Sequence, residues 1–132
     1  MQLIGVHPVT HSDLGFNNQL FGGQLLKWID GDAVAYAWEV CDTPRMVTVA
    51  MDKCVWKKKA GPGHLIKIYA QVKQFGNTSV LLEVEARRHN VYTGQQDVVL
   101  STDIKFVRVD EEGYPIPIYE KVKNRHNDNS TK

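Results

Sequence analysis

Apolar residues at helical spacing run from about residue 22 to residue 40, and the chain beyond them switches to a period of two. Leu25, Leu26, Ile29, Ala33, Ala37 and Val40 form one continuous stripe, which predicts a helix with one face in the core. Asp42-Thr43-Pro44 closes that helix. Upstream, residues 3–9 make a short strand that Pro8 confines to an edge or a strand end, and residues 10–19 are polar and turn-rich. Downstream, residues 46–56 alternate, with Val47, Val49, Met51 and Val55 on one face. Residues 65–75, 78–91 and 98–109 are three more long strands, punctuated by Gly61-Pro62-Gly63, Gly76-Asn77, Tyr92-Thr93-Gly94 and Asp110-Glu111-Glu112-Gly113. One strand, one long apolar helix and four antiparallel strands give an α+β domain in which the sheet curls around the helix. That domain spans residues 1–119. Residues 120–132 have no periodicity and are expected to be a disordered polar tail.

The stretch from Asn17 to Asp30 is the one around which the rest is organised: a polar turn, the pair Gly22-Gly23, then the opening turns of the helix. Glycines at a helix start allow close approach to the backbone, and the free N–H groups there favour negative charge. At about 100° per residue, Asp30 lies roughly 80° from the centre of the apolar stripe and Asp32 at a similar angle on the opposite border. Geometry offers two candidate carboxylates and does not choose between them. Gly31, costly in a helix interior, points to a close neighbour. The plainer reading of the stretch is a tight turn followed by a solvated Asp paired with Lys27.

Composition narrows the classes. The chain has 132 residues, enough for one domain with a sizeable core, with 42% hydrophobic and 23% charged residues. A formal net charge of +1 argues against a broad nucleic-acid surface, so an anionic ligand needs a local basic cluster. Lys57-Lys58-Lys59 and Arg87-Arg88 are the clusters available; as solvated or edge-protecting groups they need no ligand. Neighbouring strand residues point to opposite faces, so only one of the two arginines can serve a given site. Cys41 and Cys54 sit in apolar surroundings without metal spacing and are expected to be inert buried thiols. The five histidines have no ligand spacing, so no metal site is assigned. No signal peptide opens the chain and no apolar run is long enough to span a membrane, so a cytoplasmic protein with no membrane partner is expected.

The order strand, helix, four strands, with Asn-x-x-x-Phe-Gly-Gly leading into the helix, resembles the hotdog fold, and more closely the acyl-coenzyme A thioesterase family. The family pattern Asn-Gly-x-x-Phe-Gly-Gly, ending in an Asp inside the helix, is similar to Asn17-Asn18-Gln19-Leu20-Phe21-Gly22-Gly23 through Asp30. It continues in Arg45-Met46-Val47-Thr48-Val49-Ala50, Trp56 and the turn Gly76-Asn77-Thr78-Ser79. The resemblance covers roughly residues 3–117 and lifts Asp30 above Asp32. Three departures stand out. Asn18 replaces a Gly, a change that a left-handed turn tolerates. Lys59 and His64 replace a Pro and an Asp, and Asn77 stands where Arg is common, which removes a phosphate contact.

The resemblance implies hydrolysis of acyl-CoA to a free acid and coenzyme A, with no metal or redox cofactor. Asp30 is then the catalytic carboxylate, a base whose partial desolvation strengthens it, acting on water or attacking directly to give an acyl-aspartyl anhydride. The Gly22 and Gly23 N–H groups meet the developing oxyanion, and Asn17 orients the water or the thioester. Phe21, Lys57, Lys58, Arg87 and Arg88 are expected along the substrate, and Gly76, Thr78 and Ser79 resemble the turn that lines the pantetheine channel. The family implies a homodimer, assembled further in part of it to a tetramer or hexamer, with sites built from both chains. Two rival classes remain. A hotdog hydratase or dehydratase needs a catalytic His near the helix, and none lies between Asn17 and Val40. A non-catalytic acyl-CoA-binding module shares the fold, since fold does not fix function.

Overall fold

The computed structural model describes residues 1–130. The elements follow in the order β1 (Gln2–Pro8), α1 (Gly22–Cys41), β2 (Met46–Trp56), β3 (His64–Phe75), β4 (Ser79–Asn90), β5 (Gln96–Arg108) and α2 (Glu120–Ser130). The strands form one five-stranded sheet in the order β1-β3-β4-β5-β2, antiparallel throughout, and α1 lies in its concave face. The α1 stripe Leu25, Ile29, Ala33, Ala37 and Cys41 is buried against Ile66, Ile68, Val80, Leu82, Val84, Leu100, Ile104 and Phe106. Two of the expected stripe residues, Leu26 and Val40, sit half-buried at its margin. Asp42 ends α1 in the left-handed conformation (φ 56°), as the Asp-Thr-Pro stop implies.

Four expectations change. First, the alternation read along β2 does not hold. The register slips between Thr48 and Ala50 and again between Asp52 and Val55, with Lys53 at φ 51°. Each bulge inserts residues into one strand and reverses which side chains face the core. Met46, Thr48, Met51 and Trp56 therefore pair with the helix-facing row of β5, while Val47, Val49 and Val55 are 42%, 51% and 49% exposed. Second, Cys54 is exposed on that same irregular edge; only Cys41 is buried, where burial and the neighbouring Asp42 push its thiol up to about 11.

Third, residues 120–130 form a helix rather than a disordered tail, Thr131 and Lys132 lying outside the described residues. One apolar residue, Val122, supplies the burial, at 2% exposure. Polar contacts supply the rest. Lys121 and Arg125, one turn apart, both reach Asp42 at the end of α1, at 3.6 and 3.0 Å. His126 meets the Phe75 ring edge-on, and Arg108 stacks on Tyr119 at 3.8 Å from its centroid. Fourth, the close neighbour expected at Gly31 is missing among the described residues, because Gly31 lies on the solvent side of α1. Among the described residues no helix is long and apolar enough to cross a membrane.

Candidate functional site

The segment before α1 is fixed by its own polar side chains. The Thr10 backbone N–H and hydroxyl donate to Asp13 Oδ2 at 2.8 and 2.9 Å, and Gln24 Nε2 donates to Asp13 Oδ1 at 3.1 Å. The Thr10 backbone contact in particular holds the Asp13 carboxyl below its ordinary value. Asp13 in turn accepts the Phe21 N–H through its carbonyl at 2.9 Å, which anchors the helix start. Asn17 and Asn18 both adopt left-handed backbone, φ 64° and 54°, so Asn18 does serve where the motif has glycine.

The first helical turn is uncapped. Phe21 is the N-cap residue and provides no side-chain hydrogen bond, while its carbonyl accepts from Gln24 and Leu25. The N–H groups of Gly22 and Gly23 are thus left without an intrahelical acceptor, the arrangement an oxyanion uses. Gly22 packs close to Trp56, where a Cβ would lie 3.3 Å from the ring, beside a cavity of about 120 Å³ lined by Leu20, Gly22, Leu25, Trp56, Lys58 and Ala60 among others. At Gly23 a Cβ would come 2.7 Å from the Phe21 ring, which is itself exposed.

The two carboxylates of α1 have different surroundings. Asp32 faces β1: its Oδ2 accepts from His7 Nε2 at 2.7 Å, and the His7 ring stacks on Trp28 with centroids 4.7 Å apart. Gly5 makes room for it, since a Cβ there would sit 1.9 Å from Asp32 Oδ2. Asp30 faces the opposite border. Its Oδ1 accepts a hydrogen bond from the Thr48 hydroxyl on β2 at 2.9 Å, and no cation pairs with it among the described residues, Lys27 included. Thr48 escaped the sequence reading as a site residue. Its signal was a hydroxyl between two valines in the Val47-Thr48-Val49 run, which the bulge turns toward the helix.

The basic clusters are largely committed. Arg87 bonds Glu85 at 2.6 Å and lies over the Tyr69 ring at 4.0 Å. Arg88 bonds Asp97 and the Lys59 carbonyl, and Lys58 reaches Asp97 at 3.5 Å. Desolvation pushes the Asp97 carboxyl up, but the Arg88 and Lys58 contacts outweigh it and leave Asp97 below its ordinary value. Lys57 is exposed. The turn at Gly76, Thr78 and Ser79 is tight: the Gly76 N–H donates to the Ser79 carbonyl at 2.8 Å.

Within one chain these residues fall into two groups. Asn17, Gly22, Gly23, Trp56 and the Lys58–Arg88 cluster lie at the end of the sheet where Trp56 pairs with Leu100 and Leu100 with Ala86. Asp30 and Thr48 lie further along, where Thr48 pairs with Phe106 and Phe106 with Val80, at the level of the Gly76–Ser79 turn and two strands, roughly 10 Å, from it. Eight residues of helix separate Gly22 from Asp30, roughly 12 Å along its axis. No hydrogen bond joins Asn17 to Asp30 among the described residues.

Known proteins resemble this chain in sequence and in fold. Residues 17–95 match the family model described as the thioesterase superfamily. The acyl-CoA thioester hydrolase YciA of Escherichia coli (strain K12) is 30% identical over 107 residues, covering 79% of this chain and 80% of that protein. An uncharacterized acyl-CoA thioester hydrolase of Bacillus subtilis (strain 168), YkhA, is 28% identical over 106 residues, or 80% of this chain. The chain spans only 61% of that longer relative. A hexameric hotdog-fold thioesterase of Campylobacter jejuni superposes with a TM-score of 0.84 at 31% identity, covering 96% of this chain and 97% of that one. The match runs from the Asn17 turn through the helix and Asp30 into the last hairpin, and by it this chain belongs to the thioesterase superfamily, on the hotdog fold.

Proposed function

We propose that this chain hydrolyses acyl-CoA thioesters, with Asp30 as the catalytic carboxylate. The observation that carries the reading is the setting of Asp30: a half-buried carboxylate held by one hydroxyl donor and no cation, on the border of an apolar helix. Asp32, by contrast, is already matched by His7. A carboxylate so placed accepts a proton from water as the water adds to the thioester carbonyl. The oxyanion collapses, the C–S bond breaks, and the proton passes to the coenzyme A sulfur. Direct attack by Asp30 gives the same products through an anhydride that water opens.

The other groups come from a second copy. β2 ends the sheet with a free edge, and Val47, Val49, Val55 and Trp56 are exposed along it. An unpaired, apolar edge strand is covered most simply by its own copy. Antiparallel pairing of β2 with β2 about an axis near Asp52 brings Thr48 of one chain level with Trp56 of the other. Asp30 then faces Asn17 and the free Gly22 and Gly23 N–H groups of the partner subunit. The homologue from Campylobacter jejuni is hexameric, and we extend that to this chain as dimers assembled further. Phe21, Lys57, Lys58, Arg87 and Arg88 are assigned to the rim on the substrate side, and Gly76, Thr78 and Ser79 to the pantetheine channel.

The test is free-thiol release from a panel of acyl-CoA substrates running from acetyl to palmitoyl. Turnover of at least one member is expected. Absence of release across the whole panel, with coenzyme A still bound, would leave a binding module in place of an enzyme.

A further inference from the structure

The uncapped N-terminus of α1 opens on the cavity of about 120 Å³ beside Trp56. Its apolar walls are Leu20 before the helix, Leu25 one turn inside it, Trp56 at the end of β2, Ala60 in the loop beyond, and Val99 on β5. Leu25, Ala60 and Val99 are buried and close its inner end, while Gly22 lies on the wall beside the free N–H groups. Of its polar members, Lys58 sends its ammonium away to Asp97, at 3.5 Å. What remains is an apolar recess next to the backbone groups assigned to the oxyanion.

The walls are held in place. The Lys57 N–H donates to the Val99 carbonyl at 2.7 Å, the Leu20 N–H to the Ala60 carbonyl at 2.8 Å, and Arg88 Nη1 to the Lys59 carbonyl at 2.6 Å. Those bonds tie residues 57–60 to β5, to the segment before α1 and to β4. Trp56 is set by its pairing with Leu100 and by its approach to Gly22. Packed walls do not admit a larger group without strain, so the volume limits what enters.

We propose that this recess receives the acyl chain and that Trp56 limits it to about five carbons, which makes short-chain acyl thioesters the substrate class. The proposal rests on the acyl-CoA reading above. With the thioester carbonyl held at the Gly22 and Gly23 N–H groups, only the carbons beyond it enter. At roughly 30 Å³ for each water-sized group, 120 Å³ holds about four of them. Butyryl and pentanoyl chains fit that count; octanoyl and longer chains do not. Trp56 is the wall that sets the limit. Leu25, Ala60 and Val99 back onto the core, whereas the Trp56 ring is half exposed and has open space on its far side.

The experiment uses S-alkyl coenzyme A thioethers from ethyl to dodecyl, which have no cleavable bond and report the recess by binding alone. In titration calorimetry on the wild-type protein, affinity is expected to rise about fourfold for each methylene up to pentyl. It stops rising there, and octyl binds more weakly than pentyl. Trp56→Ala moves the break to octyl or beyond, and Ala60→Val, which fills part of the recess, moves it to shorter chains. In turnover, kcat/KM for butyryl-CoA should exceed that for octanoyl-CoA by about tenfold or more in the wild type, and Trp56→Ala should narrow the ratio. Affinity that climbs through octyl in the wild type, or does not depend on length, overturns the proposal. So does a break that Trp56→Ala leaves in place while its circular dichroism matches the wild type. If Trp56→Ala does not fold, the wild-type series and Ala60→Val decide. A protein with the thioether break that releases thiol from no acyl-CoA would refute the hydrolase reading and leave the recess standing.

Discussion

The Thr48 hydroxyl donates to Asp30 Oδ1 at 2.9 Å, tying the middle of α1 to the edge strand of the sheet. The contact orients one carboxylate oxygen, and no hydrogen bond or ion pair engages the other among the described residues. Asp30→Asn keeps the shape and removes the proposed catalytic carboxylate. Turnover should fall at least a hundredfold, as for other acid–base groups, with coenzyme A binding retained. Thr48→Val removes only the orienting bond, and kcat should drop about threefold to tenfold, the equivalent of one ordinary hydrogen bond. Single-turnover thiol release on both variants checks the order.

Asp32 should respond in the opposite sense. Its carboxylate is half-buried beside Gly5 and bonded to His7 at 2.7 Å, so Asp32→Asn weakens the clasp between α1 and β1. A charge-assisted bond of that kind contributes on the order of 1–2 kcal/mol, which lowers Tm by several degrees. Turnover should stay within a few-fold of wild type. A large loss of turnover in Asp32→Asn beside a mild one in Asp30→Asn would mean the wrong carboxylate has been chosen.

How the two carboxylates part company shows what a sequence makes legible. The period of α1 put both on the borders of the stripe at matching angles; the resemblance favoured Asp30, and the physical difference lies in contacts across 25 and 18 residues, His7 on Asp32 and Thr48 on Asp30. The element order was readable because helix and strand periods differ and the turns carry glycine or proline. The faces of β2 were not, because a bulge inserts residues without leaving a periodic trace, and two of them fall within eleven residues. Nor was α2. A segment with one buried apolar residue has no amphipathic pattern; what holds it is Asp42, Phe75 and the Asn77 carbonyl, all from distant parts of the chain. The resemblance to the thioesterases covered residues 3–117 and could say nothing of it.

Ending the chain at Tyr119 therefore has a cost. It exposes the core surface covered by Val122, about 1.5–3 kcal/mol for a full apolar side chain, and Tm should fall by several degrees in calorimetry. Acid should release the same helix. The Asp42 carboxyl is held below its ordinary value of 3.8, first by the hydrogen bond from Arg125. A lowered value stabilises the docked state fully above 3.8 and loses that contribution as pH falls through the lowered value. Helix content should hold from neutral pH down to about 4 and drop below it, a loss that Asp42→Asn brings forward to neutral pH.

The exposed edge of β2 makes a separate claim. Val55 is half exposed in the single chain, so Val55→Lys should leave the isolated fold intact. In the proposed register residue 55 falls opposite Val49 of the partner subunit, so a lysine there puts an unpaired charge into an apolar seam and opposes assembly. Size-exclusion chromatography should show a smaller species with unchanged far-ultraviolet circular dichroism, and activity should fall with it because the proposed site needs both copies. A monomer with full activity would contradict the shared site directly.

Complementation tests the same geometry from the chemistry. Asp30 and Asn17 lie at different levels of the sheet within one chain, and the proposed antiparallel pairing of β2 sets Asp30 opposite Asn17 of the partner subunit. Asp30→Ala and Asn17→Ala proteins, each nearly inactive, are unfolded and refolded together. A hybrid dimer carries both defects in one site and neither in the other. Random mixing makes about half the dimers hybrid by two-fold symmetry. Each hybrid has one intact site of two, so activity should return to roughly a quarter of wild type. Refolding each variant alone supplies the baseline, and mass spectrometry of the intact assembly shows that hybrids have formed. Hybrids with no gain over that baseline would put both residues in one chain's site. Asp30 and Asn17 would then have to meet across roughly 12 Å of α1, the axial span from Gly22 to Asp30, and the β2-paired dimer would have to be replaced by another assembly.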